Sequence, residues 1–261
     1  MAKHRRRWNQ SVYERYLDEG RGRGEGKDYR PWIRVQDFAS SGTVSRIYSS
    51  KTGRVHHLLS NNERYYFYLL EWSDRVIDIR EQFPLSDIQT AMEIAAGAGI
   101  KYPKDNISGF PYVMTCDFMV TTQNGLRART VKQTAELNNP RTVEKLEIER
   151  RYWKQFGVDW KIVTEKDISI QKAKEVEWVR SSGIGYVGQE NIHLKKELLA
   201  VAKERFIGKE SSAASVAGNI DLEYALPIGT GLLLFKHLVM TKQLSAEMEF
   251  CSSPSRMVAA V

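Results

Sequence analysis

The residues best placed to do chemistry are Asp117, Thr130 and Lys132. Asp117 lies in the β-branched, aromatic and apolar run 111–122, and Lys132 in the alternating run 126–133. Between them stands Gln123-Asn124-Gly125, whose Asn-Gly pair is the strongest short hairpin signal. With Asn124-Gly125 as a two-residue turn, Gln123 faces Leu126 and Asp117 lies opposite Lys132. Opposed residues share a face with Cβ atoms about 4.5–5.5 Å apart, and strand alternation puts Thr130 on that face. A carboxylate and an ammonium therefore stand side by side at the centre of a sheet, ready for polar chemistry or for a plain cross-strand ion pair. An exposed pair of that kind contributes less than ~1 kcal/mol. Against the ion-pair reading, Asp117 sits in an apolar run, where an uncompensated charge is costly, and Lys132 follows Val131 in a strand that should be mostly covered.

Two further acids have alternative readings. Ser60 and Glu63 have the spacing of a capping box, in which the Glu only satisfies a helix-end amide. Glu149 falls within the apolar face of a helix over 142–156, so it points at the sheet centre or pairs with Lys145 on the helix surface. The stripe Tyr65, Tyr66, Phe67 and Tyr68 reads as core packing. His56-His57 has no further ligand at metal spacing and reads as structural or polar surface.

These residues need an α/β layer to hold them. Residues 58–72 read as a helix, 74–83 as a strand ending before Pro84, and 86–99 as an Ala-rich helix. Pro140 opens the next helix, with Val143, Leu146, Trp153 and Phe156 on one face. Gly157 ends it, and VDWKIVT is a strand, completing a strand–helix–strand unit. The Gly- and Ser-containing segment 180–193 reads as a linker. After it come a helix over 193–207, a polar stretch over 208–219, a short helix near 220–225 and a helix from Pro227 to about Lys242. LSAEMEFC then alternates like an edge strand. Three helices and a short strand outline a winged-helix module. The expected organisation is a basic arm over 1–54, a catalytic domain over 55–168 and a docking domain over 169–261.

The chain has 261 residues and a formal net charge of +7. The first 54 residues carry 13 Lys+Arg and 6 Asp+Glu, whereas 55–168 carry 15 and 16 and 169–261 carry 11 and 10. The excess lies in the arm, the footprint of a polyanion binder. Arg5, Arg6, Arg7, Arg21, Arg23, Lys27, Arg46, Lys51 and Arg54 are the candidate DNA contacts. Gly20, Gly22, Gly24 and Gly26 before Lys27 do not make a Walker A loop: position 21 is Arg, and Asp28 stands where Ser or Thr is needed. A flexible basic strap along a DNA backbone fits better. Hydrophobic residues at 42% and charged residues at 27% exclude long-range disorder. No apolar run nears the roughly 20 residues of a membrane span, and no secretory signal opens the chain. Cys116 and Cys251 cannot make a zinc site by themselves or a disulfide framework, and a cytoplasmic setting fits.

The segments GRGRGEGKDYRPW, RIYSSKTGRVHHLLS, DIREQFPL and RTVEKLEIERRYW resemble the TnsA family, endonuclease subunits of heteromeric cut-and-paste transposases, from about residue 17 to about 250. The resemblance implies a restriction-endonuclease-like mixed sheet flanked by helices, followed by a winged-helix domain. It implies magnesium-dependent cleavage (manganese as substitute, two ions per site) of the non-transferred strand at the 5′ ends of a transposon. Implied partners are double-stranded transposon-end DNA, an integrase-type transposase subunit and an AAA+ regulator docked through the C-terminal domain. Glu63, Asp117 and Lys132 match the family's catalytic residues. Metal ligands would come from Glu63, Asp117, Thr130 and the Val131 carbonyl, with Glu149 as accessory. Thr130 departs from the family's Gln. The alternatives are a stand-alone repair or junction nuclease and a non-catalytic DNA- or partner-binding adaptor.

Overall fold

In a computed structural model, which describes residues 8–37, 43–181, 192–207, 212–246 and 259–260, the described part of the basic arm is folded rather than a flexible strap. Helix α1, Gln10–Asp18, is capped by Asn9, whose side chain accepts from Val12 N. Its Tyr16 packs with Trp32 and Val113, and Trp8, Val12 and Tyr13 close around them. The glycine series is a wound turn seated on the strand below. A Cβ on Gly22 would lie 2.4 Å from Pro84 Cγ, and one on Gly24 2.5 Å from Asp28 O. Both have positive φ, so only glycine fits.

This packing corrects the reading of two arginines as DNA contacts. Arg21 is buried, lies over the Tyr16 ring, and donates to Glu19, Asp37 and Trp32 O. Arg54 opens β2, Arg54–Leu58, which pairs antiparallel with β1, Ser45–Ser49, in a hairpin the sequence did not announce. Its guanidinium is bidentate on the fully buried Glu81, at 2.9 and 2.5 Å. Burial pushes the Glu81 carboxyl up, but His56 and Arg54 outweigh it and hold the group far below its ordinary range. Composition counts charges; it does not reveal which are already neutralised inside. His56 is structural, with contacts to Glu81 and Thr52.

Helix α2, Asn61–Trp72, begins at the Ser60 cap. The central sheet follows: β3, Val76–Pro84; then, after helix α3, Ile88–Gly97, come β4, Thr115–Thr122, and β5, Gly125–Val131; helix α4, Pro140–Gln155, leads to β6, Asp159–Val163. Strand order is β3-β4-β5-β6, antiparallel except for the parallel β5–β6 pair. It is a mixed sheet flanked by helices. Met119 and Ala128 carry Ile148, Tyr152 and Trp153 of α4 together with Ala91 and Ala95 of α3. Phe118, alternating with Met119, turns to the opposite face and meets Tyr66 of α2 at 5.7 Å. Val143 and Phe156, expected on the apolar face of α4, are 47% and 51% exposed. They sit in the helix's first turn and at its C-cap, and Ile148 and Tyr152 fill the face instead.

The hairpin register also differs from expectation. Pairing ends at Thr122↔Gly125, so Gln123 and Asn124 form the turn and every partner moves by two residues. Thr122 Oγ1 accepts from Asn124 N and donates to Gly125 O, and Gly125 takes the left-handed φ of 105°. A shift of two preserves side-chain parity. Asp117, Thr130 and Lys132 therefore keep a common face, with Asp117 opposite Thr130 rather than Lys132.

The chain divides into two compact units, Met1–Ile168 and Ser169–Val261. The second holds α5, Ile170–Arg180, α6, Ile192–Phe206, α7, Ala213–Glu223, α8, Thr230–Met240, and the short pair β7, Ser245–Ala246, and β8, Ala259–Ala260. Helix α5 was not anticipated. Much of the stretch read as polar is α7, where Ser212 caps and Ala213, Val216, Ala217 and Ile220 form a buried stripe. Gly229 opens α8 without a capping side chain, so buried Asp221 accepts from Gly229 N and Gly231 N. Of the expected linker over 180–193, Arg180 ends α5 and Ile192 and His193 open α6, whereas residues 182–191 and most of the expected terminal strand lie outside the described residues. None of the described helices is long and apolar enough to cross a membrane.

Removing one partner of a buried pair strands the other charge. Arg54→Ala is therefore expected to lower stability by about 3–5 kcal/mol in denaturant unfolding. A variant as stable as the parent chain would contradict the burial of this pair.

Candidate active site

Glu63 reaches the sheet because of how α2 starts. Ser60 Oγ accepts from Glu63 N at 3.1 Å and donates to Glu63 Oε1 at 3.0 Å, while Leu59 N donates to Glu63 Oε2. Capping and presentation are thus one arrangement, since a carboxylate has several lone pairs. The acid is 6% exposed. Asp117 is held from the neighbouring strand, where Val131 N donates to its Oδ2 at 2.7 Å. Lys132 Nζ lies 3.5 Å from the same oxygen and donates to Val131 O at 3.0 Å.

A residue absent from the sequence reading joins the two acids. Gln82 Nε2 lies 3.3 Å from Asp117 Oδ1 and 3.5 Å from Glu63 Oε2. The two carboxylates therefore converge on one point. No periodicity or motif marks Gln82; its only sequence signal is its place in DIREQFPL.

Glu149 also lies inside, bonded to the Thr130 hydroxyl and to Trp160 Nε1, the latter at 2.8 Å. The alternative pairing with Lys145 is not what the helix does with this acid. Thr130 donates its hydroxyl proton to Glu149, and its oxygen lone pairs stay available.

The electrostatics follow from burial. Glu63 is pushed up to about 8, by burial and then by the Asp117 charge. Glu149 is pushed up to about 7 by burial, against the pull of Thr130 and Trp160. Asp117 raises Lys132 despite the cost of covering an ammonium. Two carboxylates and a carbonyl are hard oxygen donors, the kind that suit a divalent cation completed by water and phosphate. Among the described residues, no group of three or more His, Cys, Asp or Glu side chains is arranged to hold a metal. Glu63 and Asp117 both turn a carboxylate oxygen toward the Gln82 amide, so this donor set fits a magnesium-like ion that keeps several waters.

The other candidate contacts separate by exposure. Arg23, Lys27 and Arg46 are exposed. Lys51 is half-buried, and its ammonium donates to Ser73 O and Val76 O past the end of α2. Arg5, Arg6 and Arg7 lie outside the described residues.

A mixed sheet presenting two converging acids and a lysine suits phosphodiester hydrolysis, and comparison with known proteins identifies that class. Residues 73–165 match the family described as TnsA-like endonuclease N terminal, and residues 167–248 match TnsA endonuclease C terminal. Asp117, Lys132 and Glu149 fall inside the first match; Glu63 precedes it. The chain is 42% identical over 235 residues to the Transposon Tn7 transposition protein TnsA of Escherichia coli, covering 89% of this chain and 84% of that protein. The protein is a DNA endonuclease. It belongs to the TnsA family of transposition endonucleases.

The folded chain holds the Glu63 proton more tightly than the unfolded chain does. Between the ordinary carboxyl value of 4.5 and about 8, the folded state keeps a proton that the unfolded state has lost, so stability falls as pH rises. Glu63→Gln is expected to flatten that slope, gaining thermal stability over the parent toward the upper end of the window. Melting curves in chelator across this range test it; parallel slopes would contradict the burial of this acid.

Proposed function

We propose that the chain hydrolyses the non-transferred strand at the 5′ ends of a transposon, using magnesium, or manganese in its place. The observation that carries this reading is the convergence of Glu63 and Asp117 on one point, with Lys132 Nζ beside Asp117. Glu63, Asp117 and the Val131 carbonyl would hold the ion. When bound, the ion supplies charge neutralisation at the scissile phosphate and a water acidified by coordination.

The chain's own groups do the rest. Lys132, kept protonated by Asp117, donates to the phosphate oxygens where transition-state charge gathers. The Val131 N–H fixes Asp117 Oδ2, so its other oxygen faces Gln82 and Glu63. Glu149, with Thr130, would serve a second ion as an accessory acid. Because Thr130 brings no charge, that second position depends on Glu149 more than on the hydroxyl. Arg23, Lys27 and Arg46 would hold the DNA backbone, where sequence-independent phosphate contacts set position.

The first unit carries the restriction-endonuclease-like part of this reading. The second would work as a winged-helix-like docking module for an AAA+ regulator, with an integrase-type subunit cutting and joining the 3′ ends. Leu222 and Ile228 in that unit are 83% and 101% exposed, which supports protein docking over groove binding. Dependence of cleavage on the partner subunits and on transposon ends separates this role from that of a stand-alone repair or junction nuclease.

With purified partners and a transposon-end duplex, Asp117→Ala and Lys132→Ala are each expected to abolish 5′-strand nicking. Far-ultraviolet circular dichroism should remain that of the parent chain. Nicking retained by either folded variant would defeat the assignment.

A further inference from the structure

Gln82 is 2% exposed, and its amide faces the acids with a fixed orientation. Thr115 Oγ1 donates to Gln82 Oε1 at 3.1 Å, which leaves Nε2 as the end that meets Asp117 and Glu63. The flipped amide would aim an oxygen at two carboxylates and lose the Thr115 donor. The backbone is built around the same placement. The rungs Glu81↔Phe118 and Phe83↔Cys116 put Gln82 across from Asp117. Gln82 has a φ of +47° inside a strand, a conformation a side chain other than glycine's rarely adopts. That twist turns its carbonyl out of the ladder to accept from Trp32 N. Strain of this kind persists only where the surroundings over-determine it. Here they do so from both sides, with Tyr29 donating to Glu81 O and Gly22 packed against Pro84.

We propose that Gln82 is a positioning residue for the divalent cation: its amide holds the Glu63 and Asp117 oxygens aimed at one point, and Thr115 orients that amide. This rests on the cation-binding reading of Glu63 and Asp117. Gln82 brings no charge and takes no part in bond making. It keeps the two acids convergent, so that the ion finds its ligands already arranged. Supporting groups of this kind typically change metal affinity by about 10- to 100-fold when removed.

The test uses the full chain with Mn2+ as the probe. Gln82→Met keeps length and loses both polar ends; Thr115→Val leaves Gln82 in place and removes only its orienting hydroxyl. Direct Mn2+ binding, followed by electron paramagnetic resonance or calorimetry, is expected to weaken about tenfold in Gln82→Met and by less in Thr115→Val. Cleavage with partners should then need more Mn2+ but recover most of its maximal rate, a split that general loss of structure would not produce. Unchanged or tighter Mn2+ binding in folded Gln82→Met overturns the proposal. Should that variant fail to fold, unchanged binding in Thr115→Val overturns it instead. Asp117→Ala is the control: if it binds Mn2+ like the parent chain, the cation-site reading itself fails, whatever Gln82 does.

Discussion

Two carboxylates converging inside a protein repel one another and resist ionisation, and the first unit is organised around keeping Glu63 and Asp117 in that position. Burial and the Asp117 charge push the Glu63 carboxyl up. The structure offsets this with donors from several elements: Leu59 N and the Ser60 hydroxyl at the start of α2, Val131 N and the Lys132 ammonium from β5 and the residue after it, and the Gln82 amide from β3. None of these elements could slide by one residue without losing its contribution. The consequence is a site rigid in shape and short of positive charge, the condition in which a divalent cation has most to contribute.

The N-terminal segment belongs to that design. Its glycine-rich turn locks onto the end of β3 through Gly22 against Pro84, and Asp78 accepts from Gly26 N. The buried Glu81 cluster ties β2 to the same strand. The residues flanking Gln82 are thus clamped from two sides. Arg23 and Lys27, exposed on the same turn, stand on the segment that also supports the acids.

Much of this was legible in the sequence, and the exceptions have physical reasons. Asp117 and Lys132 were found through alternation and an Asn-Gly turn, and their common face survived a register error because the error was two residues, not one. Glu63 was read as a cap and is a cap; that its other lone pairs face the sheet is a tertiary fact. Gln82 could not be read, since a left-handed residue within a strand has no local signature and its partners come from residues up to 50 positions away. Arg21 and Arg54 were counted with the free cations because composition does not distinguish a solvated arginine from one buried on Asp37 or Glu81. The first turns of helix α7 were missed because Ala213 and Ala217, which bury by close packing, carry little hydrophobic periodicity.

The central claim is that Glu63 and Asp117 share one divalent cation. Anomalous scattering from a crystal of the full chain soaked in Mn2+ tests it most directly. The account predicts a peak between the two carboxylates, within bonding reach of both and of the Val131 carbonyl. A fully soaked crystal with no peak there, or with manganese bound only elsewhere on the chain, would contradict it.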